Sequence, residues 1–481
     1  MQTECIPQLF EFQGVGKREV VAKFDGGTIS SDAGVLLLSE LDTRRWIVRQ
    51  FAECFIDHRD AESIEFSVET LLRQRTYALA LGYEDLNDHD FLRADPLIAA
   101  AVGVTDPLGT NRRRAGDRGK ALAGKSTLNR LELRSGDAER DGNYKKIEVD
   151  GAKVDAFFVD VFLQAHREIP HRIVLDVDAT DDPLHGRQEG RFFHGYYRSY
   201  CYLPLYIFCG DFLLCARLRP SNTDASKGVV EELERIVGQI RKWWPKVEVV
   251  VRGDSGFCRD ELMTWCEENR VDYVFGLAKN ARLLRAIGKP LQIAAERHAV
   301  TGEAEREYAE LRYRTRSSWS RERRVIGKAE QLVGKANPRF IVTTLPIDDV
   351  DRYGNAVRND AKHVYEKIYC ARGEMENRIK EQQLDLFADR TSAATMAANQ
   401  LRLWMSSVAY VLMNELRRVG LDGTTYAESQ CGTIRTKLLK IGARVTVSVR
   451  RVKASMSSAF PYQELFRHIY SRLMALEPLR V

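Results

Sequence analysis

The chain has no long apolar run. No stretch approaches the roughly 18 uninterrupted apolar residues of a membrane-spanning helix, so a helical membrane protein is excluded. The start, Met1-Gln-Thr-Glu-Cys-Ile-Pro7, lacks the basic-then-apolar order of a secretory leader, and a cytoplasmic location is expected. Nine cysteines are scattered without a Cys-x-x-Cys pair, which argues against a zinc ribbon and for reduced thiols. None has an apparent histidine partner, so thiol nucleophilic catalysis is not expected. No Gly-x-x-x-x-Gly-Lys-Ser/Thr loop is present, which removes the expectation of a nucleotide cofactor. Internal repeats and low-complexity runs are also lacking. So is a large surplus of one charge: the net charge is only +5.

What is present fits a globular protein of two to four domains. The chain has 481 residues, 44% hydrophobic and 29% charged. Its cations are clustered. Residues 431–453 hold seven (Arg435, Lys437, Lys440, Arg444, Arg450, Arg451, Lys453) and no acid. Residues 311–328 hold seven against Glu322, and residues 112–125 hold six against Asp117. Three separated basic blocks suit a protein that follows an extended polyanion. For each block the competing reading is a solvated face balanced by acids elsewhere.

The most specific feature is a helical run from Tyr369 to Gln383. Tyr369, Arg372, Glu376 and Lys380 are spaced by three, four and four residues, which places them on one face of an α-helix. That face carries one carboxylate, two cations and a phenol, a set suited to a bound metal ion beside a phosphate. Further carboxylates end two apolar strands: Ile173-Val-Leu-Asp176-Val-Asp178-Ala-Thr180, and Val247-Glu-Val-Val-Val-Arg-Gly253-Asp254. Oxygen-only ligands suit hard Mg²⁺. Two such ions would clamp the attacking and leaving oxygens of a phosphoryl transfer.

Tyr369-x₂-Arg372-x₃-Glu376 resembles the Tyr-Arg-Glu-Lys signature of the DDE transposases of bacterial insertion sequences. Asp178-Ala-Thr180 looks like the first catalytic Asp in its Asp-x-Thr setting, and Gly253-Asp254-Ser-Gly-Phe257 looks like the second. The closer similarity is to the thirteen-eighty family of insertion sequences. It is carried by Asp25-Gly-Gly27, Ser31-Asp-Ala-Gly34, Gly82-Tyr-Glu-Asp-Leu-Asn-Asp-His89 and Thr127-Leu-Asn-Arg-Leu-Glu132. It continues in His185-Gly-Arg-Gln188 and Ala398-Asn-Gln-Leu-Arg402, and runs from about residue 20 to about residue 460. One departure stands out. The signature's last Lys falls at position 383, which is Gln383; Lys380, one turn earlier, is the substitute expected to bind phosphate.

The resemblance implies an RNase H-like α/β fold, a mixed sheet core with an inserted β-rich subdomain, a helical N-terminal domain and a small basic C-terminal domain. Hydrophobic periodicity gives matching boundaries. Residues 1–145 read as helices, including Ser31 to Leu41, capped by Ser31 or Asp32, and Val68 to Leu81, stopped by Gly82. They are assigned to end binding and assembly. Residues 146–278 read as the first part of the core: strands at Ile173 to Ala179, Tyr202 to Cys209, Phe212 to Arg219, Val247 to Val251 and Tyr273 to Leu277, with helices at Gly228 to Trp243 and Arg259 to Asn269. In an RNase H-like sheet the first and fourth strands are neighbours, which brings Asp178 and Asp254 together. Residues 279–364 read as the β-rich insertion, 365–420 as the second part of the core, and 421–481 as the basic domain.

Several residues carry two readings. Asp176 competes with Asp178 for the first catalytic position, because residues two apart on a strand share a face; the Asp-x-Thr setting favours Asp178. His185 and Gln188 either contact the scissile strand or structure their loop, and no second His stands at ligand spacing for a metal site. Trp319 either stacks on a flipped base, as a Trp of the inserted subdomain does in related transposases, or packs its own subdomain. Arg435, Lys437 and Lys440 are expected to contact phosphates, because the block lacks the Asn and Gln typical of base readout.

The resemblance therefore implies a cut-and-paste DNA transposase. Asp178, Asp254 and Glu376 would hold two Mg²⁺, with Mn²⁺ as a substitute. Water would cut the transposon end. The freed 3′-OH would form a hairpin there and later join target DNA. Arg372 and Lys380 would bind phosphate, and Tyr369 would orient the adjacent backbone. The partners would be double-stranded inverted-repeat ends, target DNA and a second copy of the chain in the synaptic complex. No membrane is expected, and the location would be the bacterial nucleoid. Two alternatives stand: a metal-dependent nuclease on the same core without strand transfer, and a DNA-binding regulator with a decayed site.

Overall fold

The computed structural model describes residues 9–132, 146–350 and 356–477. The chain packs as two units, residues 149–407 and residues 1–148 with 408–481. The five segments expected from the sequence are grouped into these two. Among the described residues no helix is long and apolar enough to cross a membrane.

Residues 149–407 are built on one mixed sheet. Its strands are β1 (Arg172–Ala179), β2 (Leu205–Cys209), β3 (Phe212–Arg217), β4 (Glu248–Gly253), β5 (Asp272–Leu277), β6 (Glu305–Tyr313), β7 (Arg323–Leu332) and β8 (Arg339–Thr343). Their order is β3-β2-β1-β4-β5-β8-β7-β6, with the short strand Lys335–Ala336 paired to β7. β1, β4 and β5 run parallel, and the remaining pairs are antiparallel. The neighbour relation of the first and fourth strands is therefore present. The hairpin turn at Gly210 is also present, with φ +56° at that glycine.

The strands expected to form an inserted subdomain are strands of this same sheet, because β8 pairs with β5 along four residues. Local alternation announces a strand but not its partner, so the sequence suggests a separate sheet where the fold continues one. Two helices in that segment, Ala281–Ala286 and Gly288–Thr301, were not expected.

Side-chain alternation gives the sheet two apolar faces. On one face Ile173, Leu175 and Val177 of β1 and Val249 and Val251 of β4 pack with Val159 and Phe162 of helix Gly151–Ala165 and with Leu233, Ile236 and Ile240 of helix Val229–Trp243. On the other, Val250 and Val274 pack with Ala361, Val364 and Tyr365. The second face is the one that matters for chemistry, because Asp176, Asp178, Arg252 and Asp254 share its parity.

The other unit holds helix Val68–Leu81, capped by Ser67 and ended at Gly82 with φ +94°, as the sequence indicates. The first long helix differs from expectation. It begins at Val35 after Gly34 and has no side-chain cap. Asp32 instead accepts Lys440 Nζ at 2.6 Å, Tyr83 Oη at 2.7 Å and Ser31 Oγ at 2.9 Å. Gly34 is required by close approach: a Cβ there would lie 2.0 Å from the Leu438 carbonyl oxygen. The residues around 438–441 thus pack on the Ser31-Asp-Ala-Gly34 motif, and residues 421–481 belong to the same unit as residues 1–148.

Candidate active site

The register of β1 and β4 sets the site. Arg252 lies opposite Asp176 and Gly253 opposite Val177, so Asp178 and Asp254 follow side by side. Asp176 is committed elsewhere: Arg252 grips it through Nε at 2.5 Å and Nη2 at 2.7 Å, and both groups are buried. Burial pushes the Asp176 carboxyl up against the pull of Arg252. A buried carboxylate held through both oxygens is ill placed for a cation, whereas Asp178 lines the open cleft.

Asp178 accepts the Ala179 N–H at 2.9 Å. Burial pushes it up to about 7, against Arg372 and helped by the nearby charges of Asp254 and Glu376. Asp254 accepts the Gly256 N–H at 2.7 Å. A Cβ at Gly256 would meet that carboxylate at 2.9 Å, so the glycine lets the loop turn back on its own Asp.

The Tyr369–Gln383 run is helical but not one regular α-helix. A π-helical turn (Val364–Tyr369) leads into a 3₁₀ turn (Cys370–Arg372), an α-helix (Gly373–Lys380) and a second π-helical turn (Glu381–Asp385). Such interruptions are frequent at functional sites. Despite them, Arg372, Glu376 and Lys380 line one cleft of about 520 Å³ with Asp178 and Asp254. Arg372 bonds Glu376 at 2.7 Å and reaches Asp178 at 3.7 Å. Burial works against its guanidinium, and Asp178 and Glu376 outweigh that, so its affinity for the proton is raised. Tyr369 lies deeper. Its hydroxyl is the nearest atom to a Cβ placed on Gly276 of β5, at 2.7 Å, beside the Ser255 N–H and the backbone of Asp254. Only glycine leaves room for the phenol at that point.

Gln383 also lines the cleft, with its amide held by the segment after β1. Its amide donates to Asp182 Oδ1 at 2.9 Å and to the Asp181 carbonyl at 3.1 Å. Asp182 is buried and pushed up to about 8 by that burial, against the Gln383 bond and with help from Asp389 and Asp181. Its Oδ2 finds no partner among the described residues. Lys380, in contrast, is exposed in the cleft wall.

Other expected contact residues have different positions. Trp319 is 4% exposed, edge-on to Tyr313 at 5.7 Å and 5.6 Å from Arg323, inside the core of the sheet. A ring packed on its faces cannot stack on a base, so the packing reading replaces the base-stacking one. His185 is exposed on its loop. Gln188 structures that loop, accepting from the Gly186 N–H at 3.1 Å and donating to the Thr391 carbonyl at 3.2 Å.

Three cations of the C-terminal block are also used internally. Arg435 donates to the Ala80 carbonyl at 2.8 Å, Lys440 pairs with Asp32, and Lys437 bonds Tyr462 Oη at 3.0 Å between two tyrosine rings. Each is thus engaged within the fold. The 311–328 block is likewise partly folded in: Arg323 is buried with Asp260 and Glu267, and Arg324 with Glu310. Charge density along a sequence cannot distinguish a paired cation from an exposed one.

Sequence reasoning missed the aromatic wall of the cleft. His194, Tyr196 and Tyr197 line it, and Tyr196 is 84% exposed. The run Phe192-Phe-His-Gly-Tyr-Tyr197 was the available signal.

Among the described residues no three His, Cys, Asp or Glu side chains converge closely enough to grip an ion as they stand. Arg372 lies against two of the three carboxylates. The donor set nonetheless fits a hard divalent cation, being all oxygen. Burial is the main reason that Asp178 is raised, with Asp254 and Glu376 adding to it, and a bound cation would offset both.

Carboxylates ending adjacent parallel strands, with a third on a helical run over the same sheet face, define an acid-rich α/β core. The family described as transposase DDE domain group 1 matches residues 12–478, and the chain belongs to it. It is a transposase, of an enzyme family that acts on DNA and works with divalent metal ions. Among solved structures it is similar to one titled cryo-EM structure of piggyBac transposase synaptic complex with hairpin DNA. Identity is 12%, over 94% of this chain and 86% of that one, with a TM-score of 0.38, and that likeness carries no argument. No curated protein matches the chain.

Proposed function

We propose that this transposase cuts and joins DNA in the cleft bounded by Asp178, Asp254 and Glu376, and that these three carboxylates hold two Mg²⁺ ions, with Mn²⁺ able to replace them. The observation that supports this reading is the gathering of all three acids, from two strand ends and one helical run, in a single cleft with Arg372 and Lys380. Two divalent ions, when bound, neutralise charge on the scissile phosphate and on the attacking and leaving oxygens. The chain's own groups do the rest. Asp178 and Asp254 hold one edge of the cleft, since one lies in β1, the other directly follows β4, and both accept backbone N–H bonds. Glu376 closes the site once Arg372 releases it. The freed guanidinium then has a phosphate as its natural partner, because its planar fork matches two phosphate oxygens. Lys380 supplies a second cation further along the strand. Tyr369, fixed over Gly276, sets the depth to which backbone can enter.

The reaction sequence follows from the same site acting repeatedly. Water cuts one strand at the transposon end and frees a 3′-OH. That hydroxyl attacks the opposite strand, leaving a hairpin on the transposon end. After the hairpin opens, the 3′-OH attacks target DNA. Two ends must be handled together, so the working state is a homodimer on DNA.

The test uses a duplex carrying the inverted repeats that flank the gene. Asp254→Asn should bind it and leave it uncut. Normal cutting by that variant would rule out the assigned site. Joined product from precleaved ends and a plasmid separates a transposase of this mechanism from a nuclease that only cuts.

A further inference from the structure

The seven cations of residues 431–453 fall into two populations. Arg435, Lys437 and Lys440 are satisfied within the fold, as described above. The other four lie on a hairpin of β9 (Ala443–Ser448) and β10 (Arg451–Met456). Arg444, Arg450, Arg451 and Lys453 are all exposed, and none forms an ion pair among the described residues. No acid occurs between Glu428 and Glu464 to balance them.

The hairpin alternates strictly. Its inner face carries Ala443, Val445, Val447 and Ala454, packed with Ala33, Leu97, Ile441 and Phe460. Its outer face follows from the register, which sets Arg444 opposite Ser455, Thr446 opposite Lys453, and Ser448 opposite Arg451. All six are exposed. Ser448 closes the turn, its Oγ accepting the Arg451 N–H at 3.2 Å. That leaves three cations and two hydroxyls on one flat face. β9 is held at its base, where Arg444 pairs with Ile29 and the Val445 N–H reaches the Thr28 carbonyl at 2.8 Å. Beyond Val445 only two strands continue, and Val449 at the tip is fully exposed.

A solvated face would not need to be free of acids over so long a stretch. A face for a protein partner would keep apolar area at its centre, and here the centre is Lys453 and Thr446. Residues two apart on a strand are separated by about 7 Å, so Arg451, Lys453 and Arg444 step along the ribbon and can reach separate phosphates. The two hydroxyls are further phosphate donors. The shape agrees as well, since the major groove of DNA admits a two-stranded β-ribbon.

We propose that the outer face of the β9–β10 hairpin is a second DNA-binding surface, which lays Arg444, Arg451 and Lys453 on the phosphates of a duplex without reading its bases. It rests on the reading of the chain as a DNA-binding transposase and says which cations outside the cleft carry the duplex.

The experiment measures binding of the full-length protein to a 30-base-pair duplex of arbitrary sequence across a salt series, for the parent and for R444A/R451A/K453A. Each lost phosphate contact should flatten the log–log salt dependence by about 0.9, so the triple variant should be shallower by roughly 2.7 with its melting temperature unchanged. R444K/R451K keeps the charge and should keep the slope. If the triple variant melts early, R451A alone, near the turn, should still flatten the slope by about 0.9. An unchanged slope in a folded variant, with the parent binding normally, would overturn the hairpin assignment and leave the cleft reading intact. A parent that binds no duplex at all would overturn both. Loss of binding to phosphatidylserine vesicles in the variant, with duplex binding retained, would overturn the choice of DNA as the partner.

Discussion

Asp182 and Trp319 show best how single side chains behave in this molecule. Asp182 is a buried acid bonded to Gln383 on one oxygen, while the other has no partner among the described residues. Its folded-state value is pushed up to about 8 from an ordinary 3.8. Between those two values the folded chain holds a proton that the unfolded chain has lost. Its contribution to stability is therefore present below about 3.8 and lost as pH rises towards 8. Asp182→Asn should remove that dependence, so its melting temperature should gain on the parent's as pH rises from 5 to 8.5. Parallel melting curves for the two proteins across that range would show that Asp182 does not carry it.

Trp319 is a matter of packing. Trp319→Ala should cost about 3–5 kcal/mol, as large-to-small core changes do. Nicking and hairpin formation should fall together with the melting temperature. Selective loss of hairpins in a variant of normal stability would restore a base-stacking role. The three acids of the cleft and its lysine were legible in the sequence, because strand ends and a charged helical face are local patterns. The reach of Arg372 to Asp178, the capture of Gln383 by Asp182 and the burial of Trp319 were not. Each depends on a neighbour brought in by the fold.

At the scale of elements, the central pattern came through because it is short-range and periodic. The strands β1 and β4 and the hairpin β2–β3 need only apolar patterning and turn residues to be read, whereas the pairing of β1 with β4 came from the family resemblance. The continuation through β8, β7 and β6 depends on which edge accepts a strand, and no local signal states that. The Tyr369–Gln383 run shows the same limit on a helix. Spacing placed its residues on one face, whereas the 3₁₀ and π-helical turns set their actual depth. The basic segment near 435–440 is an element of assembly. Lys440→Ala would leave Asp32 buried without its ion pair and should cost roughly 3 kcal/mol. The salt dependence of DNA binding should stay as in the parent. A flattened slope at unchanged stability would return Lys440 to the phosphate contacts.

The whole molecule divides its labour between two packed units. The sheet unit carries the acids, and the other unit carries the exposed cationic hairpin. For a chain with a net charge of only +5, such segregation matters more than the total. Removing divalent ions should therefore abolish cutting and leave duplex binding in place, which filter binding and gel analysis of the same sample in chelator would report. Loss of both together would mean that the cations alone do not hold DNA. Glu376→Gln should resemble chelation, lowering cutting by roughly 10³ or more if several kcal/mol of charge stabilisation are lost.

The central claim is that Asp178, Asp254 and Glu376 form one divalent-cation site, and calorimetric titration of Mn²⁺ into the full-length protein addresses it most directly. Run at pH 6 in two buffers of different ionisation heat, it counts protons as well as ions. Asp178 is pushed up to about 7, so it is mostly protonated at that pH and must release its proton on binding. The expected result is carboxylate-dependent binding with up to about one proton released, lost in Asp178→Asn and weakened in Asp254→Asn and Glu376→Gln. Binding of equal strength, with equal proton release, in all three variants would contradict the claim.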